Sequence, residues 1–211
     1  MKIIFSEGEH YHIFNRGVEK RNVFGDSHDI ERFILSLQLL NSKEPIGSIH
    51  ERRFAQDREG SDRGLVDIIC YCLNPNHYHM ILQQKTERGI PKFMQRLGTA
   101  YTNYFNEKYA RTGSLFQGTY KGVHIESNEQ LLHTSVYVNL NNTLGSLTPK
   151  LSASSWSEYL DKDRAQALCS KEIILGQFKS PDAYKAFALS GRESIVERKK
   201  QEKEIQWLLG S

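Results

Sequence analysis

Two histidines separated by one residue open a predicted strand near the middle of the chain. Residues 70–82 are typical of a strand, a tight Asn-Pro-Asn turn and a second strand that begins at His77. Because side chains two positions apart in a strand point to the same face, His77 and His79 present two imidazoles side by side. Such a pair can begin a divalent-metal site. In isolation it is more often a solvated or hydrogen-bonded strand end.

A second pair with the same spacing, His10 and His12, lies in the first predicted strand, which ends in a glycine turn at Gly17. The two pairs are about equally well placed on their strands, so the pattern alone does not rank them. A four-histidine site between neighbouring strands also stays open.

A later predicted helix carries two further side chains suited to the chemistry. A capping box beginning at Ser127 starts this helix. Tyr137 and Asn141 lie one turn apart on the same side of it, about 5–6 Å along the axis, and can converge on one site. A hard cation bound by two imidazoles and an amide keeps positions open for phosphate oxygens. A tyrosine can attack a phosphodiester and hold it as a phosphotyrosine, although a packed aromatic is the commoner role among ten tyrosines.

The elements that must position these residues alternate along the chain. The order is strand, helix, strand, strand, helix, strand, helix, and the middle two strands form a hairpin. This order predicts an α+β, ferredoxin-like (RRM-like) antiparallel sheet with helices on one face. We expect residues 1–150 to form this domain, with 42–64 as an exposed loop, and residues 151–211 to form a helical C-terminal extension.

The composition is that of an ordinary globular chain, with 38% hydrophobic and 25% charged residues. Lysine and arginine exceed aspartate and glutamate by 28 to 25, which permits nucleic-acid binding without requiring it. The three cysteines contain no C-x-x-C spacing and favour a reducing compartment. No apolar run approaches the roughly 18–20 residues that span a bilayer, so a cytoplasmic location without membrane contact is expected.

Four segments resemble, in order and spacing, the histidine–bulky–histidine (HUH) single-strand transposases, which are insertion-sequence tyrosine transposases. These segments are residues 11–17, 75–79, 116–121 and 137–141. The second is similar to the family's M-P-N-H-x-H signature, with Asn74 in place of its Met. The fourth is similar to the family's tyrosine helix, with Asn142 in place of the usual Pro. The resemblance runs from about residue 10 to residue 145 and is greatest to the REP-associated tyrosine transposases.

The resemblance implies a ferredoxin-like fold and metal-dependent cleavage and joining of single-stranded DNA, often at hairpins. It implies that His77 and His79 bind Mg²⁺ or Mn²⁺ together with Asn141. It also implies that Tyr137 is the nucleophile and forms a 5′-phosphotyrosine. The earlier histidine pair is then structural or close to DNA. Whether Tyr137 acts on the histidines of its own chain or of a partner in a homodimer stays open.

DNA would be held by phosphate contacts and base stacking. The candidate contacts are Arg16, Lys20, Arg21, Arg52, Arg53, Tyr120 and Lys121. Taken one at a time, each charged side chain is more often simply solvated, and Tyr120 is at least as well suited to core packing.

Two other functions compete with this hypothesis. The first is a non-catalytic or domesticated nucleic-acid-binding protein on the same fold, which cleavage assays would separate. The second is a zinc-dependent hydrolase that uses the two histidines. The sequence contains no H-E-x-x-H motif to support that hydrolase.

Overall fold

The computed structural model describes residues 3–44, 64–143, 151–161, 167–192 and 195. The strands are β1 (His10–Arg16), β2 (Val66–Asn74), β3 (His77–Gln84), β4 (Lys121–Ile125) and β5 (Ala153–Ser154). The helices are α1 (Ser27–Leu39), α2 (Gly89–Lys108), α3 (Asn128–Asn139), α4 (Trp156–Leu160) and α5 (Glu172–Leu175), and residues 181–192 are also helical. Short 3₁₀ turns occupy Val18–Lys20 and Asn141–Thr143. In these described ranges no helix is long and apolar enough to cross a membrane.

The five strands form one antiparallel sheet in the order β4-β1-β3-β2-β5. With α1 and α2 as the two crossovers, the first four strands have the ferredoxin-like arrangement, which confirms the predicted α+β class. The β2–β3 hairpin closes tightly, because Asn74 pairs directly with His77 across the intervening Pro75-Asn76. Strand β5 lies in the predicted C-terminal extension, so this part of the chain adds an edge strand to the sheet. Most of the predicted exposed loop, residues 45–63, lies outside the described residues.

The two faces of the sheet are covered by different helices. On one face Tyr78 of β3 packs on Phe33 of α1, which in turn packs edge-on against Tyr101 of α2. The expected helices on one face are therefore α1 and α2. Helix α3 packs on β2 and β3 from the opposite side, where its Tyr137 contacts His79. Strand β2 is buried along both of its faces, and this burial requires cover from two sides.

A buried carboxylate ties the start of α1 to the end of α2. The side chain of Asp29 is 0% exposed. It accepts hydrogen bonds from Gly25 N at 2.7 Å, Tyr104 Oη at 2.9 Å and Tyr109 Oη at 2.8 Å, and it pairs with Lys108 Nζ at 2.7 Å. Burial by itself raises the pKa of this carboxyl, but the hydrogen bonds outweigh burial, that from Lys108 first. The pKa of Asp29 is therefore held below its ordinary value of 3.8.

Asp29→Asn is expected to lower the free energy of unfolding by about 2–3 kcal/mol at neutral pH, because charged hydrogen bonds in a buried site are lost. A carboxyl whose pKa is lower in the folded state stabilises the fold above its unfolded value and loses that effect as the pH falls. The difference between wild type and variant should therefore be complete at pH 6–7 and should narrow below pH 3.8. Urea unfolding across this range, with the exposed Glu31→Gln on α1 as control, measures it. A difference that stays constant with pH would contradict this assignment.

Buried hydrogen bonds fasten the C-terminal residues to α3. The hydroxyl of Tyr184 lies 3.0 Å from Ser135 Oγ and accepts from Asn139 Nδ2 at 3.0 Å. Ser155 Oγ donates to Asn139 Oδ1 at 2.6 Å and accepts from the backbone N–H of Tyr71 in β2 at 2.9 Å. This network links α3 both to the sheet and to the helical residues 181–192. It therefore holds α3 in place on the sheet.

Tyr184→Phe is expected to lower the free energy of unfolding by about 1–3 kcal/mol, because it leaves buried polar groups of α3 without their partner. Chemical unfolding of Tyr184→Phe, Ser135→Ala and the double variant forms a cycle that isolates the interaction between the two hydroxyls. We expect the two changes to be non-additive. Strict additivity would show that the 3.0 Å contact does not contribute to stability.

Candidate active site

Polar and aromatic side chains from three adjacent strands share the face of the sheet that carries the histidines. In the β1–β3 register Phe14 lies opposite His79 and Arg16 lies opposite His77. On the other side of β1, Lys121 of β4 lies opposite Phe14. Directly opposite residues of antiparallel strands point to the same face, so these five side chains form one surface.

The structure brings the four predicted catalytic and metal-site residues together within one chain. The ring of Tyr137 is half-buried and lies edge-on to His79, with centroids 5.4 Å apart. The rings of His77 and His79 are 5.2 Å apart and nearly perpendicular. Asn141 begins the 3₁₀ turn that follows α3, and its Oδ1 is 3.4 Å from His77 Nε2. Their roles as nucleophile and ligands remain predictions, but their proximity in a single subunit is observed.

The hydrogen bonds around His77 fix which of its nitrogens can bind a cation. Nδ1 is 2.6 Å from Asn76 Oδ1, which can only accept, so the ring proton is on Nδ1. Nε2 then carries the lone pair, and it accepts from Asn74 Nδ2 at 3.2 Å. This tautomer turns the ligating nitrogen toward Asn141. Orientation of a histidine through its second nitrogen is the usual arrangement around metal sites.

His79 is oriented by a histidine of the neighbouring strand. His12 Nε2 lies 2.9 Å from His79 Nδ1, and the two rings stack with centroids 5.1 Å apart. Burial lowers the pKa of His12 to about 4, so this ring is neutral at neutral pH and its Nε2 can accept a hydrogen bond. When His79 Nδ1–H donates to His12, the lone pair of His79 is on Nε2. The contact therefore suits metal binding through Nε2 of His79.

The predicted ligands are placed where they could share one divalent cation. His77 Nε2 and Asn141 Oδ1 are both acceptors and lie 3.4 Å apart, close to the roughly 3 Å between adjacent ligands of an octahedral ion with bonds of about 2.1 Å. In the described part of the chain, the buried Nδ2 of Asn141 has no hydrogen-bond partner, whereas its Oδ1 accepts from Asn74 Nδ2 at 3.0 Å. The described residues contain no group of three or more His, Cys, Asp or Glu that could hold a metal. Two imidazoles and an amide oxygen therefore form the candidate set; the amide oxygen suits Mg²⁺ or Mn²⁺, imidazoles are more typical of transition metals, and the ion stays a prediction.

A cleft of about 340 Å³ opens beside the two histidines. It is lined by Phe14, Asn15, Arg16, His77, His79, Gln117 and Lys121. Arg16 is exposed and donates to Gln117 Oε1 at 3.3 Å, and Lys121 is also exposed. Two cationic side chains thus border the cleft, where they could meet the phosphates of a bound strand.

A second cleft, of about 690 Å³, lies on the other side of Phe14 and includes Tyr137. It is lined by His12, Phe14, Val123, Gln130, His133, Thr134, Tyr137, Gly191 and Ile195. Phe14 is common to both clefts, so the surface around Tyr137 and the histidines continues from a cationic side to a more apolar one.

The other predicted DNA contacts are not brought to this surface equally. Lys20 and Arg21 follow β1, and the carbonyl of Lys20 accepts from Asn76 Nδ2 at 3.2 Å, which places this turn next to the hairpin. Tyr120 lines a different cavity, with Tyr78, on the side covered by α2, and burial raises its pKa. The structure therefore does not bring Tyr120 to the histidines. Arg52 and Arg53 lie outside the described residues.

Comparison with known proteins supports the resemblance in the segment that holds the site. The family model described as "Transposase IS200 like" matches residues 47–141. A solved structure described as a REP-associated tyrosine transposase bound to a REP hairpin has a TM-score of 0.42 and 10% identity, over 68% of this chain and 72% of that chain. Curated proteins give no match. The family-model match confirms the predicted resemblance to this transposase family, and the matched residues 47–141 include both histidines and Tyr137.

Proposed function

We propose that this protein nicks and rejoins single-stranded DNA, in a metal-dependent reaction through a covalent 5′-phosphotyrosine. The observation that carries the proposal is the convergence of Tyr137, His77, His79 and Asn141 on one face of the sheet in one chain. A tyrosine that merely filled the core would not need His79 at the edge of its ring, with His77 next to His79 and the amide oxygen of Asn141 next to His77.

In the proposed reaction the Oη of Tyr137 forms a bond to phosphorus while the bond from phosphorus to the 3′-oxygen breaks. The phenol loses a proton and the departing 3′-oxygen gains one, so protons balance. The products are a 5′-phosphotyrosine and a free 3′-hydroxyl. Because one phosphoester replaces another, the energy of the phosphoester bond is conserved. Attack by a 3′-hydroxyl on the phosphotyrosine reverses the step and joins strands.

His77, His79 and Asn141 would hold the cation. When bound, Mg²⁺ or Mn²⁺ supplies charge neutralisation at the scissile phosphate. The protein's part is to hold the ligands in place: Asn76 fixes the tautomer of His77, and His12 supports that of His79. The fastening of α3 to the sheet holds Tyr137 against the same histidines.

The surface favours a single strand over a duplex. Phe14 lies at the junction of the two clefts, with Arg16 and Lys121 on one side. Aromatic rings combined with cationic side chains are the usual means of binding unpaired nucleotides, because bases stack on the rings and phosphates meet the cations. Tyr137 lines the second cleft, so a flexible strand that crosses Phe14 would reach it.

The test uses a pool of fluorescent DNA hairpins with randomised single-stranded flanks, so that no target sequence has to be assumed. We expect a covalent protein–DNA band on denaturing gels with Mg²⁺ or Mn²⁺, no band with EDTA, and a much weaker band when the flanks are made double-stranded. DNA binding without any adduct would instead support the non-catalytic nucleic-acid-binding alternative.

A further inference from the structure

Asn74 occupies an unusual place at the end of β2. The residue is buried, with 4% exposure, although it is polar. Its Nδ2 lies 3.0 Å from Asn141 Oδ1, 3.2 Å from His77 Nε2 and 3.7 Å from Cys72 Sγ. The first two of these contacts are to predicted ligands of the cation. In the resembling family's signature this position is commonly Met, so the amide is a feature of this chain.

The amide nitrogen of Asn74 lies where it satisfies both predicted ligands together. His77 Nε2 and Asn141 Oδ1 are acceptors separated by 3.4 Å, and the NH₂ group donates to each. A cation placed between these two acceptors would also satisfy both of them. The NH₂ group of Asn74 and a cation cannot both occupy this place, because an N–H directed at the lone pairs of the two acceptors would repel a cation that needs the same lone pairs.

Rotation of the amide by half a turn resolves this conflict. The oxygen and nitrogen of an Asn side chain are nearly equal in size and shape, so the rotation exchanges them without changing the packing. Three acceptors, Asn74 Oδ1, Asn141 Oδ1 and His77 Nε2, would then point to one place. Three acceptors converging without a donor are unfavourable unless a cation lies between them.

We propose that Asn74 is an additional protein ligand of the divalent cation, binding through Oδ1 after its amide rotates. This inference rests on the metal site of the proposed function. Without metal, the NH₂ group of Asn74 holds Asn141 and His77 in position. With metal, two amide oxygens and two imidazoles leave two positions of an octahedron for phosphate oxygens or water, which suits Mg²⁺ or Mn²⁺.

The test measures Mn²⁺ binding to DNA-free protein, by electron paramagnetic resonance of free Mn²⁺ and by calorimetry at pH 8, with no activity readout. Asn74→Met removes the oxygen and is expected to weaken Mn²⁺ binding about tenfold. Asn74→Asp supplies a charged oxygen at the same place and is expected to tighten binding about tenfold. Asn142→Asp adds the same charge one residue beyond Asn141 and should change affinity much less. Circular dichroism and thermal unfolding in EDTA confirm that each variant is folded.

The outcomes separate this inference from the proposed function. Wild-type protein that binds Mn²⁺ while Asn74→Met binds it equally well or more tightly would overturn the inference, since the amide would then only fill or block the site. Equal tightening by Asn74→Asp and Asn142→Asp would also overturn it, because the effect would be general electrostatics. Wild-type protein that binds no Mn²⁺ would overturn the proposed metal site itself, and with it the role of Asn74.

Discussion

Tyr137→Phe is expected to abolish the covalent protein–DNA adduct and to lower strand cleavage by about a thousandfold or more. The change removes a single oxygen, the one that would bond to phosphorus, while the ring keeps its edge-on contact with His79. Binding of single-stranded DNA should be nearly unchanged, because the proposed strand contacts lie on β1 and β4. Denaturing gels measure the adduct, and fluorescence anisotropy with the same oligonucleotides measures binding.

The matched control for this variant is Tyr109→Phe, which removes a phenol oxygen at the end of α2, where the hydroxyl donates to Asp29. That site lies on the other side of the sheet, so adduct formation should persist. An adduct that survives in Tyr137→Phe would show that another group is the nucleophile. Loss of the adduct in both variants would point to a general effect on folding.

His77→Ala and His79→Ala are each expected to remove metal-dependent cleavage, with a loss of about a hundredfold or more, and to weaken Mn²⁺ binding in parallel. Each change deletes one of only two imidazoles in the candidate donor set. The loss should not be recovered by added Mg²⁺ at ordinary concentrations, because the described residues contain no group of three or more His, Cys, Asp or Glu that could hold the ion instead. Cleavage titrated with Mg²⁺ and Mn²⁺ measures the effect.

The control for the histidine variants is His28→Ala, whose side chain is 79% exposed on α1, the helix that covers the other face of the sheet. It should cleave as wild type does. Undiminished cleavage by either His77→Ala or His79→Ala would rule out this metal pair. Cleavage that falls while Mn²⁺ binding stays intact would assign the histidine to DNA positioning instead.

The alternation of strand and helix patterns was enough to predict the fold class, because the spacing of apolar residues differs between strands and helices. The hairpin of β2 and β3 follows from Pro75-Asn76 between two strand patterns, and α3 begins at the predicted cap, where Ser127 accepts from the backbone of Gln130. The helix on the second face of the sheet was harder to predict. The apolar sequence of β2 shows that both faces of this strand are covered. It does not show at which edge of the sheet the chain leaves β4, and that edge decides where α3 packs.

The relation between the two histidine pairs could not be predicted from the sequence, since it depends on strand register. In the β1–β3 pairing His12 contacts His79, whereas His10 lies opposite Gln83, farther from the site. Neither pair is therefore independent of the other: one residue of the first pair supports one of the second. Period-two alternation does place Phe14 and Arg16 on the face of His12, and it could have identified Phe14 as part of the site.

Asn74 and Tyr120 show two other limits of sequence patterns. Asn74 looks like an ordinary turn residue, and only the approach of the 3₁₀ turn after α3 brings Asn141 to its amide. Tyr120 comes just before β4, where successive side chains point to opposite faces of the sheet. A shift of one residue therefore decides its face, and the structure places it with Tyr78 on the side of α2. Contacts between distant segments and the facing of strand ends both require the assembled sheet.

Locating the covalent bond tests most directly whether Tyr137 is the nucleophile. After reaction with the hairpin pool and Mg²⁺, nuclease treatment and trypsin digestion, mass spectrometry should find the nucleotide adduct on the peptide of residues 122–150, in which Tyr137 is the only tyrosine. Fragmentation should place the added mass on that residue. An adduct on any other peptide, or no adduct from the whole pool while the protein binds both Mn²⁺ and single-stranded DNA, would contradict the account.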